Sequence, residues 1–207
     1  MTFSLPKIYP LTDVSITKFS HLEQTKQLIA GSAKIIQLRE KKASSGDFYQ
    51  AAKEVMLFAR ERNVKIIIND RVDIALAIGA DGVHLGQDDL PPTEARKILG
   101  EKAIIGFSTH NIEQAIEAVL LPINYLAIGP IFATTTKENA DPVIGIEGLL
   151  KVRQAIGNFP LVAIGGIDFE NARHILANGA DSIAVISAIL NPSAKISDNI
   201  RHFIKHL

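Results

Sequence analysis

The chain has 207 residues, 47% of them apolar, and its 22 Lys plus Arg balance 22 Asp plus Glu. That is enough for one domain with a substantial core, and it leaves no global field to attract nucleic acid or an anionic membrane. The absence of cysteine excludes disulfides, thiolate catalysis and zinc ribbons. The opening MTFSLPKIYPLTD lacks a basic n-region before an apolar h-region, and no apolar run approaches a membrane span, so a soluble cytoplasmic protein is expected.

In chain order, the pattern predicts a strand over 8–11 with Thr12 and Asp13 after it, then a helix over about 22–30 with Gly31 behind it. A second strand over 33–38 (AKIIQL) precedes a helix from 47 to about 61, in which Phe48, Ala51, Ala52, Val55 and Phe58 recur at helical spacing. Ile66, Ile67 and Ile68 form a β-branched run without polar alternation, as in a strand covered on both faces, and it ends at Asn69 and Asp70. A short helix over 72–77 follows, with Gly79 at a C′ position that tolerates positive φ. The fourth strand, 82–86, ends at Gln87, Asp88 and Asp89, and Pro91 and Pro92 suit the first turn of a helix reaching about Leu99.

The fifth strand is predicted over 103–107 and its helix over 112–121, with Asn111 as a cap. The sixth strand, 125–132, leads into a loop over 133–145, longer than a usual βα connection and therefore suited to covering a ligand. A helix over 146–156, a strand over 161–164, the sequence GGID, a helix over 169–178, a strand over 182–186 and a last helix over 196–206 complete the chain. Eight strands in strict alternation with eight helices predict a single (β/α)₈ barrel over 1–207; an open doubly wound sheet is the alternative, but GxGxxG is missing after the first strand. The GAD triplet at 79–81 returns at 179–181, an internal echo consistent with repeated units.

In a parallel barrel the strand ends converge on one rim, and the polar residues there are the candidates for chemistry. Gln37, Arg39 and Lys41 alternate across the end of strand two, so an extended backbone points all three one way. Arg39 could grip a phosphate in bidentate fashion with Lys41 as a point charge, although Arg39 and Lys41 could also simply begin a solvated loop. Asp70 and Asp89 are the metal candidates. Magnesium takes one or two carboxylates and fills its other positions with water and substrate phosphate, but the aspartates before Pro91 could equally cap a helix.

Ser108 ends strand five, and Thr134, Thr135, Thr136 and Lys137 follow strand six, a set that suits an anion or a threonine-rich surface turn. Gly165-Gly166 and Ile186-Ser187 follow strands seven and eight, where such barrels often cradle a phosphate with backbone N–H groups. His84, on strand four, reads as a satisfied core residue, and His110 near the rim is an acid/base candidate.

With these residues in place the sequence resembles the thiamine phosphate synthase family over nearly its whole length. The motifs that carry the similarity are IQLREK at 36–41, IIND at 67–70, DGVHLGQDDLP at 81–91, GFSTH at 106–110, GPIFATTTK at 129–137, AIGGI at 163–167 and the closing AVISAI. The resemblance implies an enzyme that joins 4-amino-5-hydroxymethyl-2-methylpyrimidine diphosphate to a (carboxy)hydroxyethylthiazole phosphate, releasing diphosphate by Mg²⁺-assisted dissociative displacement. It implies that Gln37, Arg39, Lys41, Asn69, Ser108 and Lys137 hold the pyrimidine diphosphate, with Leu38 and Glu40 in the same substrate-binding stretch. Arg39, Lys41, Ser108 and Lys137 are the residues expected to carry catalysis. Asp70 and Asp89 would hold Mg²⁺, and Thr134, Thr135, Thr136, Gly166, Ile186 and Ser187 would surround the thiazole phosphate.

A thiazole tautomerase of the same fold, a catalytically silent barrel that binds a thiamine precursor, and another phosphate-binding barrel are the rivals. The intact pair Asp70 and Asp89 with Arg39 and TTTK favours the synthase. Small-molecule substrates are the expected partners, without nucleic acid or membrane, and a homodimer is compatible with the sequence.

Overall fold

Strand β1 (Ile8–Thr12) pairs in parallel with both β2 (Ile35–Leu38) and β8 (Ser182–Val185), which closes the sheet. Between them stand β3 (Lys65–Asn69), β4 (Gly82–Leu85), β5 (Ile104–Thr109), β6 (Tyr125–Ile128) and β7 (Leu161–Ile164), each paired with its sequence neighbours. The computed structural model describes residues 4–134, 136, 141–191 and 194–207. The helices among these residues are α1 (His21–Ala30), α2 (Ser45–Arg60), α3 (Val72–Ile78), α4 (Pro92–Leu99), α5 (Ile112–Ala118), α6 (Gly145–Ile156), α7 (Ala172–Ala177), α8 (Ser187–Leu190) and α9 (Ile196–His206). None is long and apolar enough to cross a membrane.

Strand alternation divides the core in two. Tyr9, Leu11, Ile35, Ile67, Ile104, Tyr125, Ala127, Val162 and Ala184 fill the barrel, while Ile36, Leu38, Ile66, Ile68, Val83, Leu85, Ile105 and Leu126 pack outward against the helices. The apolar runs of the central strands are thus buried on both faces, as the absence of polar alternation predicts. The GAD echo has a structural cause. Asp81 accepts the Ile66 N–H at 2.9 Å and Asp181 accepts the Leu161 N–H at 2.8 Å, so each aspartate satisfies a donor at the start of the strand before its own.

Several predicted bounds differ. Strand six stops at Ile128, four residues early, because the chain turns at Gly129-Pro130; Ile131 and Phe132 then donate to the carbonyls of Ile164 and Gly165 at 2.9 and 3.0 Å, which stitches the start of the long loop to β7. The seventh helix begins only at Ala172, because the Asp168 side chain accepts from the Glu170 and Asn171 N–H groups and forms a turn in place of the first helical residues. The four-residue α8 is an added element, hidden within the apolar run AVISAIL. Gly31 has φ −88°, so positive φ is not its reason; a Cβ there would stand 2.0 Å from the Ile200 side chain on α9.

Candidate active site

A cavity of about 570 Å³ opens where the strands end. Gln37, Arg39, Lys41, Asn69, Asp70, Asp89, Ser108, Thr134, Thr136, Gly166, Ile186 and Ser187 all line it, so residues from seven βα junctions meet around one space. Leu38 and Glu40 do not. Alternation turns Leu38 outward into the helical layer, where it is fully buried. Glu40 accepts the Lys42 and Ala43 N–H groups at 2.7 and 3.0 Å and lies 3.3 Å from His21, so it shapes the loop that carries Lys41. Thr135 and Lys137 lie outside the described residues.

The cationic groups are tethered. Arg39 pairs with Asp13, a buried carboxylate that also accepts from the Ser15 N–H and hydroxyl at 2.9 and 2.5 Å. The Lys41 ammonium sits 2.5 Å from Asp70, which takes φ 63° and donates its N–H to the His84 carbonyl at 2.8 Å. Asp89 accepts the Gly86 N–H at 2.7 Å. Burial pushes the Asp89 carboxyl up, the Gly86 bond opposes that, and the neighbouring Asp70 carboxylate pushes it up further. Two like charges held side by side in a partly dehydrated cavity are a donor set that a hard divalent cation relieves, so these residues fit magnesium. Among the described residues there is no group of three or more His, Cys, Asp or Glu side chains disposed to hold a metal, which leaves the remaining positions of such an ion to water or substrate oxygens.

The barrel floor carries polar groups that local sequence patterns do not announce as a site: Tyr9, His84 and Tyr125 line the cavity there, with Leu11 beside them and His110 at the rim. The His84 ring bridges the Tyr125 hydroxyl at Nδ1 (2.9 Å) and Ser108 Oγ at Nε2 (2.8 Å), and it stacks on the Tyr125 ring. His84 is therefore both a satisfied buried residue and a direct neighbour of a predicted site residue. The signal available in sequence was a tyrosine and a histidine in otherwise apolar strands, each needing a partner once buried. Asp13 was legible only as the end of strand one. His110 donates from Nδ1 to the Gly129 carbonyl at 2.8 Å and lies 3.4 Å from Asp141, which anchors it at the rim.

Burial pushes the His84 imidazole down to about 4, against an opposing pull from the Asp70 charge. A group held neutral when folded and free to protonate when unfolded adds stability that is present above its unfolded value of 6.5 and lost as pH falls through about 4. About 3 kcal/mol of stability is therefore expected to disappear across that window through His84. Urea unfolding at a series of pH values should show a steeper acid loss for the parent than for His84→Gln; equal slopes would refute it.

A closed eight-stranded barrel whose strand ends gather paired carboxylates, fixed cations and a Gly-Gly loop defines a phosphate-handling barrel enzyme. The sequence profile of the thiamine monophosphate synthase family matches residues 8–189, and the chain belongs to that family, transferases that condense a pyrimidine and a thiazole moiety into thiamine phosphate. It is 49% identical to a thiamine-phosphate synthase of Clostridium novyi over 89% of this chain and 90% of that protein, and 43% identical to one of Clostridium acetobutylicum over 94% and 92%. Among solved structures it resembles a thiamine phosphate pyrophosphorylase from Pyrococcus furiosus, with a TM-score of 0.86 and 37% identity over 96% of this chain and 94% of that one. Phosphoribosyl anthranilate isomerase from Thermotoga maritima shares the fold alone, at 16% identity and a TM-score of 0.70 over 97% and 98%.

Proposed function

We propose that the cavity binds 4-amino-5-hydroxymethyl-2-methylpyrimidine diphosphate beside a thiazole phosphate and joins them with release of diphosphate. The observation that carries this reading is the meeting of Asp70, Asp89, Arg39 and Lys41 on one cavity wall. Asp70 and Asp89 would hold Mg²⁺, which when bound would neutralise charge on the leaving diphosphate. Arg39 and Lys41, joined by Lys137, Asn69 and Ser108, grip the diphosphate oxygens, with Gln37 at the pyrimidine. Because charge on diphosphate grows as the carbon–oxygen bond breaks, fixed cations stabilise the transition state more than the bound substrate. The bond's electron pair leaves with the diphosphate, and the thiazole ring nitrogen then forms the new carbon–nitrogen bond to the pyrimidine methylene cation. No protein nucleophile is required. Thr134, Thr135, Thr136, Gly166, Ile186 and Ser187 surround the thiazole phosphate.

We assign the whole chain, 1–207, to one catalytic domain working in the cytoplasm on small molecules, without nucleic-acid or membrane partners; the balanced charge supports this, and a homodimer is compatible with it. The test is incubation with both phosphorylated precursors and Mg²⁺, then with a chelator. Equal amounts of thiamine phosphate and diphosphate are expected, lost on chelation and restored by Mg²⁺. An undiminished rate in chelator would overturn the metal assignment, and isomerised thiazole without consumption of the pyrimidine would favour the tautomerase.

A further inference from the structure

Four hydrogen bonds cross the barrel floor in an unbroken line. Gln37 Nε2 donates to the Tyr9 hydroxyl at 3.1 Å, that hydroxyl lies 3.0 Å from the Tyr125 hydroxyl, Tyr125 lies 2.9 Å from His84 Nδ1, and His84 Nε2 lies 2.8 Å from Ser108 Oγ. Both ends, Gln37 and Ser108, face the cavity. The line is built into the packing. Gly106 in β5 leaves room for it, since a Cβ there would stand 2.3 Å from the Tyr125 hydroxyl and 2.5 Å from His84 Nδ1.

Each hydroxyl has one proton to donate, and a neutral imidazole has one donor and one acceptor nitrogen. The line therefore has two self-consistent proton orders, and the order at one end dictates the order at the other. If Ser108 turns its proton to an anionic ligand, it accepts from His84 Nε2–H. His84 Nδ1 then accepts from Tyr125, Tyr125 accepts from Tyr9, and Tyr9 accepts from the Gln37 amide. That leaves Gln37 Oε1 facing the cavity as an acceptor. In the reverse order Ser108 gives its proton to His84 and Gln37 presents its NH₂.

We propose that this line couples the two ends of the site, so that a phosphate oxygen at Ser108 makes Gln37 an acceptor and selects a pyrimidine carrying an amino group over one carrying a carbonyl at the same position. Tyr9, Tyr125 and His84 are then positioning residues for specificity. The coupling rests on Gln37 and Ser108 touching the pyrimidine diphosphate, as proposed above. A carbonyl-bearing pyrimidine meets either an acceptor facing an acceptor, or a reversed line that withdraws the Ser108 proton from the anion. Leaving such a buried polar pair unmatched is costly.

Two measurements test it. The first compares turnover of the 4-amino and 4-oxo pyrimidine diphosphates. The parent should favour the amino form in kcat/KM by at least ~100-fold, and Tyr9→Phe and Tyr125→Phe should each narrow that ratio about tenfold, because Gln37 is then free to turn its amide. A ratio unchanged in both variants would overturn the proposal; a merely structural role would lower both rates and leave the ratio alone. The second is ¹⁵N-histidine NMR of the full-length protein saturated with inorganic diphosphate, with His84→Gln for assignment. The Nε2–H tautomer is expected for His84 in the parent and equally in Tyr9→Phe, since the anion at Ser108 still sets the near half of the line; the Nδ1–H tautomer in the parent would overturn the proposal. If the parent turned over neither pyrimidine, the functional reading would fail, and the tautomer would still decide the coupling.

Discussion

Asp70→Asn is expected to lower kcat/KM for the pyrimidine diphosphate by about 10³-fold while leaving the melting temperature nearly unchanged. Asp70 directly follows β3 with φ 63°, a conformation asparagine also adopts readily, so this substitution isolates the charge; alanine would add backbone strain. The ion pair with Lys41 contributes little to folding, because the Lys41 side chain is 52% exposed and solvent screens the pair. The catalytic loss should be large because one of two adjacent carboxylates disappears from a site proposed to gather Mg²⁺ around a departing diphosphate. Diphosphate release followed against Mg²⁺ concentration checks it. Turnover close to the parent's would remove Asp70 from the mechanism.

Gly166→Ala is expected to raise KM for the thiazole phosphate about 100-fold, with a stability loss of only about 1–3 kcal/mol. Gly166 has φ 64°, and a Cβ there would stand 2.6 Å from the Ala133 carbonyl oxygen and 2.7 Å from the Phe132 Cβ. Something must shift, and what shifts is the backbone that leads into Thr134 and Thr136. Gly79→Ala is the control. It has nearly the same φ, 62°, but its nearest neighbour is the flexible end of Arg60 at 3.5 Å, so it should lose stability without changing either KM. Equal KM values for Gly166→Ala and the parent would show that the Gly-Gly turn serves folding alone.

Much of this site was legible because the signals are local. An apolar β-branched run, a carboxylate at its end and a glycine after the following helix recur with a period the chain itself sets, and the rule that parallel strands end on one rim then gathers Arg39, Asp70, Asp89 and Ser108. Leu38 and Glu40 sit inside IQLREK, yet strand alternation turns Leu38 into the helical layer and Glu40 folds back onto the Lys42 and Ala43 N–H groups, a distinction that depends on register and turn rather than on motif. The short α8 has no signature of its own in the sequence, because a buried helical turn and a buried strand end are equally apolar.

By itself, then, the order of residues determined the eight βα units, the doubly buried strands and the inventory of charged groups near their ends, since each follows from periodicity and side-chain chemistry within a few neighbouring residues. Only the closed barrel decided who partners whom. Asp13 with Arg39, Lys41 with Asp70, and the line from Gln37 through Tyr9, Tyr125 and His84 to Ser108 join residues up to 116 positions apart. The reason is physical: a hydrogen bond requires donor and acceptor about 3 Å apart, and for groups on different strands that proximity is created by register and closure.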